Sequence, residues 1–89
     1  MFRSRVQSPV TYAGLPSAAR MLFLGVNQGS VPRARATVAV LLGGVSLRDA
    51  AAEHGVPRTT LARSRDRART VLQTAIKRRL IRPGELVAG

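Results

Sequence analysis

Apolar residues recur at helical spacing in the middle of the chain. Val38, Leu41, Leu42 and Val45 stand at positions i, i+3, i+4 and i+7, the spacing that lines one face of an α-helix. The pattern predicts a helix over residues 33–42. Two adjacent glycines at positions 43 and 44 are expected to end it.

A second and longer helical pattern follows. No Gly or Pro occurs between residues 58 and 82, so one long helix is predicted there, ended by the Pro-Gly pair at 83–84. Its apolar stripe has small residues at its start and larger ones beyond. The stripe is expected to pack in the core or against a second subunit, and it consists of Leu61, Ser64, Ala68, Val71, Leu72, Ala75 and Ile76.

The pattern is weaker before residue 33. Residues 21–24 form a run of four apolar residues, which suits a helix over 18–26 capped by Ser17 or a buried strand. Residues 27–32 are rich in turn formers. Residues 1–16 are predicted to form an irregular arm, with at best a short strand over 6–12, because Pro and Gly interrupt any period.

Between the two helical patterns lies the segment SLRDAAAEHGVPRTTLARS, residues 46–64. Ser46 is a preferred N-cap, and Asp49 three residues later completes a weak capping box. Gly55 allows a sharp turn, and Pro57 suits the first turn of a new helix. Leu61 is the inward-facing residue of that helix. A short helix, a turn of about three residues and a second helix are typical of a helix-turn-helix.

These elements predict an all-α fold. It has a three-helix core containing the helix-turn-helix, a long C-terminal helix and an irregular N-terminal arm. A chain of 89 residues suits one small domain. The predicted boundaries are an arm at 1–16, the domain at 17–83 with its motif at 46–64, and a tail at 84–89.

Charge indicates the kind of partner. Fifteen Lys and Arg residues against four Asp and Glu give a net charge of +11, and fourteen of the fifteen cations are Arg. Arg binds phosphate and guanine through its planar fork. The low aromatic content disfavours single-stranded nucleic acid, which binds by base stacking. Double-stranded DNA is therefore the predicted partner, and a merely solvated cationic surface is the alternative.

The start of the second helix of a helix-turn-helix meets base edges. Arg58, Thr59 and Arg63 are the predicted base contacts, and the two arginines are phosphate contacts in the alternative interpretation. Asp66 is expected to pair with Arg63 or Arg69 along the helix. The predicted phosphate contacts are Ser46, Arg48, Thr60, Arg65, Arg67 and Arg69. A further basic cluster at 77–82 is expected to be a solvated helix end.

Several functions are disfavoured by what the sequence contains. The chain has no cysteine, and its one histidine, His54, has no partner at metal-ligand spacing. We find no carboxylate pair or nucleophile–base set, so neither an enzyme nor a cofactor is expected. The apolar runs are too short to span a membrane and no signal peptide is apparent. A cytoplasmic location is expected.

The motif also resembles known families. GVSLRDAAAEHGVPRTTLARS resembles the general prokaryotic helix-turn-helix, with Ala51 at its small position, Gly55 at the turn, then Val56 and Leu61. Ser64 stands where that pattern usually has a larger apolar residue. VPRTTL resembles pipsqueak- and transposase-type motifs. Residues 36–72 are similar to the DNA-binding segment of TrfB-type plasmid repressors, which implies a dimer on a palindromic operator. DRARTVL is similar to the end of sigma-factor region 4.

Together these observations predict a homodimeric, sequence-specific transcriptional repressor of a phage, plasmid or other mobile element. The dimer is inferred because one helix-turn-helix buries little surface and residues 71–76 offer spare apolar length. One alternative is an architectural protein that binds any DNA by charge. Another is a protein-interaction module, such as a small phage factor that contacts host RNA polymerase.

Overall fold

The computed structural model describes residues 10–86, and all regular secondary structure in this part of the chain is helical. The α-helices are α1 (Ser17–Val26), α2 (Val31–Leu41), α3 (Leu47–His54) and α4 (Arg58–Lys77). Short 3₁₀ turns lie at Tyr12–Gly14 and Pro83–Leu86. The all-α prediction is confirmed, and the run at 21–24 is helical. Positions 6–9 of the considered strand lie outside the described residues, and no strand covers 10–12.

Two helix starts differ from the prediction. The N-cap of α1 is Pro16, which provides no side-chain acceptor, so the prediction that Ser17 caps this helix is wrong. Helix α2 begins at residue 31 rather than 33. Ser30 caps it by accepting a hydrogen bond from the Arg33 N–H (3.3 Å), and Pro32 occupies the first turn. Both residues are strong start signals.

The long helix α4 ends at Lys77, so the prediction that it continues to residue 82 is wrong. Arg79 adopts a left-handed conformation with φ +61°. Its N–H donates to the Ile76 carbonyl (3.0 Å), and the Leu80 N–H donates to the Ala75 carbonyl (2.8 Å). These two bonds form a Schellman motif, which usually has glycine at the left-handed position. Because arginine occupies this position instead of glycine, the sequence has no residue there that is typical of a helix end.

The larger hydrophobic core joins α1, α2 and α4. Phe23, on α1, is its largest fully buried side chain. Leu15 and Leu86, which flank the predicted domain limits of 17 and 83, are also buried in this core. Its buried members are Leu15, Ala19, Phe23, Val26, Ala34, Val38, Ala68, Leu72, Ala75, Ile81 and Leu86. The chain after α4 therefore folds back because Ile81 and Leu86 gain burial by doing so.

A smaller core holds α3 and the start of α4 against α2. It consists of Ala36, Ala50, Ala51, Val56 and Leu61. Leu61 is the one long side chain among these five buried residues, and the alanines allow the helices to approach closely. Helix α2 contributes residues to both cores and is therefore buried on two sides.

Two buried polar side chains fix the connection from α1 to α2. Asn27 and Thr37 are both fully buried. The Asn27 side-chain amide donates to the Phe23 carbonyl (2.8 Å), and the Thr37 hydroxyl donates to the Arg33 carbonyl (2.7 Å). The Thr37 hydroxyl also lies 3.4 Å from the Asn27 amide oxygen. These hydrogen bonds offset the cost of burying both groups.

Candidate nucleic-acid interface

Local signals place both helices of the predicted helix-turn-helix. The Ser46 hydroxyl oxygen accepts a hydrogen bond from the Asp49 N–H (3.1 Å) and caps α3. Gly55 then takes the left-handed conformation, with φ +65°, and the Val56 N–H donates to the Ala51 carbonyl (3.0 Å). The predicted boundaries of α3 are confirmed. They were predictable because Ser46 and Gly55 lie directly beside the two ends of the helix.

Helix α4 begins at Arg58, as predicted for the long helix, but the role of Pro57 differs from the prediction. Pro57 is the N-cap rather than a residue of the first turn, and its carbonyl accepts from the Leu61 N–H (2.9 Å). Pro57 provides no side-chain acceptor for the first N–H groups of α4. These donors, at the positive end of a twenty-residue helix, are suited to meeting an anion.

The three predicted base-contact residues are all exposed near the start of α4. Arg58, Thr59 and Arg63 are exposed, whereas Leu61 between them is fully buried. Because Leu61 fixes the inward face of α4, the helical spacing places Thr59 and Arg63 on its outward side. The first turns of α4 thus present a guanidinium-rich surface with a hydroxyl group, suited to base edges and phosphates in a major groove.

The predicted phosphate contacts occupy several positions. Ser46 and Arg48 are exposed at the start of α3. Ser46 uses its oxygen as the cap acceptor, so its O–H proton remains free to donate to a phosphate. Thr60 is half-buried, whereas Arg67 and Arg69 are exposed on α4. The set therefore reaches the surface on both helices of the motif, with Thr60 and Arg65 only partly exposed.

Asp66 pairs differently from the prediction. Its Oδ1 lies 3.0 Å from Arg65 Nε and 3.9 Å from Arg69 Nη1. Arg69 was an expected partner, Arg63 is not a partner, and the shortest contact is with the adjacent Arg65. These two contacts are the ion pairs found within residues 10–86. Arg65 is therefore partly engaged by a carboxylate, and its side chain is 29% exposed.

The residues predicted for core or dimer packing divide into two groups. Leu61, Ala68, Leu72 and Ala75 are buried within the single chain, and Ile76 is half-buried. Val71 is 38% exposed, so it is not a core residue. Val71 and the 69%-exposed Leu80 line a shallow groove of about 300 Å³ together with Leu22. The exposure of Leu80 was not predicted from the sequence, because the turn that exposes it has no glycine to mark it.

The one histidine lies at the end of α3, beside a cavity. His54 is the last residue of α3, at the opposite end from Ser46, and lines a cavity of about 260 Å³ beside Tyr12, Arg35 and Glu53. Within residues 10–86 no group of three or more His, Asp or Glu residues is placed to hold a metal ion. Among the described helices, none has the length and apolar content needed to cross a membrane.

A fold with these features is that of a helix-turn-helix DNA-binding domain. Comparison with family models supports this class: residues 34–74 match the family described as helix-turn-helix, Psq domain. The match runs from α2 into the last part of α4 and includes the whole smaller core. Pipsqueak-type similarity is thus confirmed for this segment, and the match supports a helix-turn-helix DNA-binding domain. Comparison with curated proteins and with solved structures gave no significant match.

Proposed function

We propose that the protein binds a specific double-stranded DNA sequence as a homodimer and represses transcription from a phage, plasmid or other mobile element. The observation that carries the proposal is the exposure of Thr59 and Arg63 on the outward side of α4, with the exposed Arg58 flanking them at the start of the helix. Two arginine forks and a hydroxyl group are base-reading chemistry, and they stand where a recognition helix meets base edges. Binding over a promoter represses by excluding polymerase, which requires no further domain.

The groove formed by Leu22, Val71 and Leu80 supports a dimer. Residues 58–63 lie about 8–13 positions before Val71, which is about 12–20 Å along α4 at 1.5 Å per residue. A two-fold axis near Val71 therefore places the two reading surfaces at most about 24–40 Å apart. Adjacent major grooves on one face of DNA are separated by about 34 Å, so the two spacings are compatible. The resemblance to TrfB-type repressors points to the same arrangement.

Fluorescence anisotropy with DNA from upstream of the gene and a scrambled duplex, both near physiological salt, tests sequence recognition. We expect a preference of at least ~10³ for the upstream DNA, the lower limit for specific regulators. Replacing Arg58 and Arg63 together by alanine should weaken that complex by about 30-fold to 10⁴-fold, since each bidentate arginine contributes about 1–3 kcal/mol. The scrambled complex should weaken much less.

A matched control removes the same charge elsewhere. Arg35 and Arg82 are exposed and lie outside the reading surface, so their double alanine variant should leave the preference intact. Equal and steeply salt-dependent binding to both duplexes would support the architectural alternative, which the net charge of +11 favours. Failure to bind either duplex would point to a protein partner such as RNA polymerase.

Sedimentation tests the dimer separately, with the free protein and with its DNA complex. We expect two chains per operator, and Val71→Asp should reduce this to one without unfolding the chain, because Val71 is partly exposed. A single chain both free and on DNA would refute the dimer.

A further inference from the structure

Asp66 is the one acidic residue of α4, a helix that also contains five arginines and a lysine. Its carboxylate is 61% exposed, and one oxygen contacts two arginine side chains, Arg65 at 3.0 Å and Arg69 at 3.9 Å. Asp66 also follows Arg63 by three positions and Thr59 by seven, which places it on the same side of the helix as the proposed reading surface. A negative charge at this place opposes binding to phosphates.

The contact from Arg65 is made by Nε, and it holds the guanidinium group beside its own helix. Exposed ion pairs of this kind are weak, because water screens them and both side chains lose freedom. A phosphate in a favourable position can therefore compete for either arginine. A phosphate too far from the guanidinium groups to form good hydrogen bonds gains less, yet it must still overcome the ion pair and the repulsion from the carboxylate.

We propose that Asp66 is a positioning residue that restrains Arg65 and Arg69 and thereby limits sequence-independent DNA binding. The inference rests on the proposed role of the outward side of α4 in contacting DNA. Its effect is greatest on loosely fitted complexes, in which phosphates do not meet the arginines in a favourable geometry. Asp66 consequently raises the ratio of specific to non-specific affinity while it lowers affinity as such.

The test is Asp66→Asn, titrated against a scrambled duplex over a range of salt concentrations. Release of one or two arginines should steepen the slope of log K against log salt by about 0.9–1.8, because each phosphate neutralised contributes about 0.9. With affinity unchanged at 1 M salt, the same relation sets upper limits at 0.15 M salt of ~5-fold tighter binding for one arginine and ~30-fold for two. We expect a smaller gain on the upstream DNA if that DNA is preferred.

Two further variants separate the local restraint from total charge. Glu53→Gln makes the same change in net charge at an exposed position on α3, away from the ion pairs, and should change affinity by less than about 2-fold. Asp66→Glu keeps a carboxylate and should retain the slope of the unmodified protein. Asp66 is exposed, so circular dichroism should show unchanged folding for every variant.

Three results would overturn the proposal. Equal effects of Asp66→Asn and Glu53→Gln would show that total charge alone decides affinity. An unchanged salt slope in Asp66→Asn would show that the arginines are not restrained. Weaker binding of Asp66→Asn would assign Asp66 a direct contact with DNA. The scrambled-duplex titration requires no operator, so it remains decisive even if the upstream DNA shows no preference.

Discussion

Replacement of Leu61 by alanine should show how much the helix-turn-helix depends on one side chain. Leu61 is fully buried. The other buried residues of the smaller core are three alanines and Val56, and Ala39, Val40, Val45 and Leu47 pack against it partly buried. The lost burial of three carbons costs about 2.4 kcal/mol at ~0.8 kcal/mol each. The buried neighbours are short and fill little of the space, so a cavity cost is added. We expect the free energy of unfolding to fall by an amount in the upper half of the usual range of about 2–5 kcal/mol for this substitution.

A chain of 89 residues is typically stable by about 4–13 kcal/mol, so this loss is a large fraction of the total. Urea denaturation followed by circular dichroism measures it as a shift of the midpoint. Leu72→Ala is the matched control, because Leu72 packs in the larger core among long side chains such as Phe23 and Ile81. Those neighbours can partly fill the space, so we expect a smaller loss, about 2–3 kcal/mol. A larger loss for Leu72→Ala than for Leu61→Ala would refute the reasoning.

Two backbone predictions concern other parts of the fold. Arg79→Gly should be about 1 kcal/mol more stable than Arg79→Ala, because both lose the charge but only glycine adopts φ +61° without strain; equal midpoints in urea would contradict this. Gly43→Ala should cost about 1–3 kcal/mol, since a Cβ would lie 2.8 Å from the Ala39 carbonyl oxygen. Thermal melting measures this loss, with Gly84→Ala as the control. A Cβ on Gly84 would have no atom within 4 Å, so that variant should be neutral. Equal losses at both glycines would exclude the steric explanation.

Helix boundaries were predicted most accurately where a capping residue or a glycine lies directly beside the helix end. Ser46 and Gly55 are within a residue of the ends they define, and α3 was predicted correctly. The same local chemistry at Ser30 and Pro32 marks the start of α2, but the apolar stripe alone placed it two residues late. The end of α4 has no comparable signal, because Arg79 occupies the position that glycine usually takes.

The candidate site was predictable to a similar degree. Leu61 identified the inward face of α4, and the spacing then placed Arg58, Thr59 and Arg63 on the surface. The partner of Asp66 was only partly predictable. Spacing along a helix favours residues three or four positions away, whereas the shortest contact is with the adjacent Arg65. Side-chain torsions decide that choice, and a sequence pattern does not determine them.

The sequence by itself determined the class of fold and the presence of a helix-turn-helix, because caps, turn residues and apolar spacing act over a few positions. Tertiary packing decided which apolar residues are core and which are surface. Val71 belongs to the same stripe as Leu72 yet is 38% exposed, and Ile81 and Leu86 lie beyond α4 yet are buried. Burial depends on which surfaces the other helices cover, and those contacts are between residues far apart in the chain. The exposed groove at Val71 and Leu80 exists for that reason.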